Sequence, residues 1–154
     1  MVRTASDALA LANNRELCPS IAVLRRDYGS EAIADIIMLY LADLRDNVNL
    51  KRPLTDNQIS NIAYEVVTEY YSLTIADVHV IMKKAKRGEY GELFESLDMP
   101  KVMTWFREYF ADRCTLAAQE SENNRIYDKN GNMTPERMTK HFEKLEKQFN
   151  KGNK

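Results

Sequence analysis

The sequence predicts an all-α protein, a compact irregular bundle of five to seven helices carrying a C-terminal amphipathic arm helix. Three observations lead there. Apolar residues recur at i, i+3, i+4, i+7 in four separate segments. Cap residues stand immediately before those segments. Only 5 Gly and 4 Pro occur in 154 residues, too few turn-formers for an all-β fold. No stretch alternates apolar and polar residues over more than a few positions, as a half-buried strand would require.

The elements follow in order. Asp7–Asn13 and Ser20–Tyr28 read as two short helices, broken by Pro19 and Gly29. The clearest periodic segment is Ser30–Val48, where Ile33, Ile36, Ile37, Tyr40, Leu41, Leu44 and Val48 build one wide apolar stripe behind Ser30 as the expected N-cap. It should end near Asn47–Asn49, ahead of Pro53. Thr55 and Gln58 then spell a capping box, and Ile59, Ile62, Ala63, Val66, Val67 and Tyr70 repeat at helical spacing. Thr74 caps a further helix striped by Ile75, Val78, Met82 and Ala85, with Asp77 favouring its positive end and Gly88 closing it. Asp98 caps a long central helix, expected over Asp98–Asn124, with Pro100 tolerated in its first turn. Its Val102, Trp105, Phe106, Tyr109, Phe110 and Leu116 follow period 3.6, and the aromatics among them are read as core. The polar stretch Glu120–Asn132, with its Asn-Gly turn signal, reads as a linker, and Thr134–Pro135 opens the last helix. The expected organisation is a helical core over 1–120, a linker over 121–133 and an arm helix over 134–150.

Composition limits the function. A chain of this length buries about two-thirds of its unfolded surface and needs no metal or disulfide to stand. Net charge is -1, so no global field draws it to nucleic acid or membrane. The charge is uneven: residues 1–124 carry 14 Lys/Arg against 19 Asp/Glu, and residues 125–154 carry 8 against 4. Cys18 and Cys114 lie far apart without a CxxC, and the apolar stretch Ala8–Ala12 is too short for a signal core. Reduced thiols in a cytoplasmic protein are expected, with no membrane association and no cofactor.

Several constellations invite a functional reading. Lys83, Lys84, Lys86 and Arg87, with Tyr90 nearby for stacking, form a candidate nucleic-acid contact. Against it stand the helix macrodipole, which favours cations at a C-terminus, and Glu89, Glu92 and Glu95, which dilute the potential. Gly88–Gly91 (GEYG) has the GxxG spacing of a phosphate clamp, but that clamp belongs to a fold with a sheet. The two helices around Leu73 have helix-turn-helix spacing, yet the would-be recognition helix opens with Ile75, Ala76, Asp77 and Val78, which are apolar and acidic. The two histidines, His79 and His141, fit no zinc motif, and no nucleophilic triad is singled out. In the last helix Met138, Phe142, Leu145 and Phe149 make a narrow seam, docking on the protein's own body or on another chain.

The segment KRGEYGELFESLD, Lys86–Asp98, followed by MTWFREYFADR, resembles a family of uncharacterised proteins of Bacteroidetes genomes, mobile elements and phages that share a KxGxYGxxFESLD pattern. The resemblance covers about a quarter of the chain. It implies a helical fold and a phage or mobile-element setting, and it carries over no catalytic residue. Together these readings point to a small non-enzymatic accessory or adaptor protein that binds a protein partner or itself through its C-terminal helix. The alternative is a nucleic-acid-binding module using the Lys83–Arg87 cluster.

Overall fold

The computed structural model describes residues 2–14, 16–91, 96–129 and 139. Among these the chain is all-helical, with six helices: α1 (Ala5–Ala12), α2 (Ile21–Tyr28), α3 (Ser30–Asn47), α4 (Asp56–Glu69), α5 (Ile75–Lys86) and α6 (Met99–Lys129). The described residues hold no strand, only two isolated bridges, Ser20 with Thr74 and Arg52 with Ser96. The chain divides into two compact units, Met1–Thr115 and Leu116–Lys154.

Capping chemistry starts three of the helices. Thr4 with Asp7, Thr55 with Gln58 and Thr74 with Asp77 each form a reciprocal capping box, satisfying two orphan N–H donors per helix. The close of α5 is a Schellman motif: Glu89 N–H donates to the Lys84 carbonyl and Gly88 N–H to that of Ala85. Gly88 takes φ 72, which only glycine adopts cheaply. The GEYG turn is therefore helix punctuation, closed by a further bond from Gly91 N–H to the Gly88 carbonyl.

Three boundaries differ from the sequence reading. The break before α3 is made by Gly29 at φ 90, ψ 157, so Ser30 is already helical and caps nothing. This backbone conformation turns the chain between two helices in a single residue. The first helix runs Ala5–Ala12, because Thr4 rather than a later residue supplies the cap. At the other end α6 continues to Lys129, past the expected stop at Asn124 and through the first part of the stretch read as linker. No proline or glycine interrupts it before Gly131.

In the first unit α3 packs on α2, α4 and α5, while α1 rests on α5. The most enclosed element is α5, with Asp77, Val78, Val80, Ile81, Met82 and Ala85 all buried. From α6 come Val102, Trp105, Phe106 and Tyr109, all buried, so the aromatic ridge is core as its spacing predicts. Tyr70 lies against Phe106 and Phe110, at ring separations of 5.5 and 5.7 Å. The α3 stripe is narrower than its periodicity: Ile33, Ile37, Leu41 and Leu44 are buried, whereas Ile36 is exposed. In the second unit the described side chains, 116–123 and 139, are half-buried at Leu116 and Ala117 and exposed beyond them.

Candidate functional site

A buried carboxylate organises the N-terminal end of α5. Asp77 is 0 % exposed. Its Oδ2 accepts from the Thr74 backbone N–H and hydroxyl, both at 2.8 Å. Its Oδ1 accepts from the Tyr109 hydroxyl at 2.7 Å and from Arg113 Nε at 2.8 Å. A buried charge is tolerated only when paired and hydrogen-bonded, and four donors, one of them the Arg113 guanidinium, meet that condition. Burial, then the adjacent Asp77 charge, push the Tyr109 pKa up, so the phenol stays a neutral donor. With its lone pairs occupied, Asp77 ties α5 to α6 and has no free site for a substrate proton. It is a structural lock.

The open surface lies between α3 and α5. On α3, Ile36, Leu39, Tyr40 and Asp43 recur at i, i+3, i+4, i+7 and so share one side of the helix. Leu39 is 71 % exposed and Ile36 38 %. On α5, His79, Lys83 and Lys86 share the facing side. Tyr40 and His79 meet edge-on, ring centroids 6.0 Å apart. Asp43 and Lys86 form an ion pair across the gap. Between the helices runs a groove of about 210 Å³, floored by Met82 and rimmed by Lys83 and Lys86. An apolar strip beside a cation-rimmed groove is suited to holding an amphipathic segment.

The basic cluster is less free than its sequence suggests. Lys86 is engaged with Asp43, and Arg87 lies 3.7 Å from Glu89. Lys83 and Lys84 are half-buried and pair with no acid among the described residues. Tyr90 is stacked on Trp105, with centroids 5.4 Å apart and planes 13° apart, so its ring already serves the core. Among the described residues its hydroxyl is buried without a partner, and burial, followed by the charges of Glu108, Glu89 and Asp112, drives its pKa up. As a helix-turn-helix, the α4–α5 pair would need an exposed N-terminal half on α5, and that half is buried at Asp77, Val78, Val80 and Ile81. The candidate partner residues Met138, Phe142, Leu145 and Phe149 lie outside the described residues.

Cys18 and Cys114 are both unbridged. Among the described residues no cluster of His, Cys, Asp or Glu could hold a metal ion, and no helix is long and apolar enough to cross a membrane. Comparison of the chain with known protein families, curated proteins and solved structures finds no match.

Proposed function

We propose that the chain is a small non-enzymatic adaptor that binds another protein, and that it does so through the α3–α5 face. The observation that carries this is Leu39, 71 % exposed beside Ile36 on a well-packed helix, next to a groove rimmed by Lys83 and by the Asp43–Lys86 ion pair. Large aliphatic side chains on a rigid helix cost little ordering entropy when a partner covers them. Lys83, which pairs with no acid among the described residues, selects the partner's chemistry: an amphipathic helix with an acidic residue flanking its apolar face. The setting, phage or mobile-element DNA metabolism, rests on the sequence resemblance alone.

The test is site-specific photo-crosslinking in the native host, with the crosslinker at Leu39 and, as control, at the exposed Glu65 of α4. A discrete protein crosslinked only from Leu39, and bound afterwards in purified form, supports the reading. Equal labelling from both positions overturns it. So does crosslinking to nucleic acid that weakens steeply between about 50 and 200 mM salt, the signature of counterion release.

A further inference from the structure

A second concavity lies away from the α3–α5 face, walled by α1, the start of α2, the α4–α5 turn and Arg113. Its volume is about 410 Å³, and its lining includes Leu9, Cys18, Ser20, Val23, Ser72 and Arg113. That is the size range of small-molecule sites. Its polar equipment is one-sided. Among the described residues no Asp or Glu lines it. Arg113 is held by Nε on Asp77, and its side chain is only 14 % exposed. The two remaining guanidinium nitrogens, with four N–H donors, bond to no described residue. Ser20 precedes α2 without making a side-chain capping bond. The first backbone amides of α2 are occupied, Ile21 on the Leu73 carbonyl at 2.7 Å and Ala22 on that of Tyr71 at 2.8 Å. The directed donors of the cavity are therefore side chains, above all a guanidinium fork locked in one orientation.

We infer that this cavity binds a small monocarboxylate with an apolar body. A planar carboxylate matches the two parallel N–H donors of the fork. Leu9 and Val23 offer the apolar wall. Charge decides against phosphate: Asp77 already balances Arg113, so a monoanion leaves one net negative charge in the site and a phosphate dianion two, with no second cation among the described lining residues.

The probe is 3-phenylpropionate, titrated into the full-length protein and followed by amide and arginine Nε–H NMR shifts, with 3-phenylpropanol and phenyl phosphate as comparisons. The acid should give saturable shifts at Arg113, Val23 and Ser72. The alcohol should give none there, and the phosphate weaker ones. Arg113→Lys keeps a cation for Asp77 but loses the fork, and should weaken binding at least about tenfold. Because that variant can also fail to fold, Ser72→Trp, an exposed turn substitution, plugs the mouth without touching the core and should abolish the shifts at unchanged melting temperature. No saturable shift with the acid, equal binding of the alcohol, tighter binding of phenyl phosphate, or undiminished binding in folded Ser72→Trp would each overturn the inference.

Discussion

Asp77→Asn is the substitution that most sharply probes the interior. It keeps the shape of the side chain and changes only charge and one acceptor. The amide oxygen can still accept from Thr74, whose N–H and hydroxyl sit on Oδ2 at 2.8 Å. The amide nitrogen then takes the place of Oδ1, facing the Tyr109 hydroxyl and Arg113 Nε. The tyrosine can rotate its proton and accept. The arginine cannot, so two donors face each other and a mostly buried guanidinium loses its counter-charge. Removing one partner of a buried ion pair costs about 3–5 kcal/mol. Tyr109→Phe deletes one hydrogen bond to a charged acceptor and should cost about 1.5–3 kcal/mol. The assay is urea unfolding at neutral pH. With a slope of about 1–3 kcal/mol per molar urea, Asp77→Asn should lower the midpoint by about 1–5 M, and Tyr109→Phe by less. The double variant should fall short of the sum, because both changes act on one network. A midpoint for Asp77→Asn close to that of the wild type would refute the claim that this carboxylate locks α5 to α6.

The same network sets a pH dependence. The Tyr109 phenol has a folded pKa raised above the ordinary tyrosine value of about 10, so its contribution is complete below about pH 10 and is lost as pH rises beyond it. Stability should fall above that pH by up to about 1.4 kcal/mol per pH unit for this one group, and Tyr109→Phe should flatten the alkaline limb of the melting curve. Gly29→Ala should destabilise by about 1–3 kcal/mol, measured by thermal melts, because φ 90 with ψ 157 is a glycine conformation and open space around the new Cβ offers no compensating contact. Trp105→Ala, which empties a buried site and unstacks Tyr90, should cost about 3–5 kcal/mol in chemical denaturation, and an unchanged midpoint would contradict its place in the core.

What the sequence revealed of the fold was what local chemistry writes. Thr55 with Gln58, and Gly88 after a periodic stripe, are signals within a few residues, and the structure uses both as expected. Ser30 was less legible because a glycine beside a good cap residue competes for the same boundary. Ile36 sits on the α3 stripe by spacing, yet it lies outside the arc that α2, α4 and α5 cover, and no sequence period states how wide that arc is. The lock was half visible. Thr74-x-x-Asp77 announces a cap, but Tyr109 and Arg113 arrive from 32 and 36 residues away. The α3–α5 face was hidden for the same reason: Asp43 and Lys86 meet across 43 residues. The basic cluster, conspicuous as a run of letters, loses Lys86 to that pairing and Tyr90 to Trp105.

The central claim, that the α3–α5 face binds a protein partner, is tested most directly by calorimetry with the crosslinked partner in purified form. Leu39→Asp changes one exposed side chain and should leave the melting temperature unaltered. The account predicts that it weakens partner binding about 30-fold or more, as for a central apolar anchor. Partner affinity unchanged in the folded Leu39→Asp protein would contradict it.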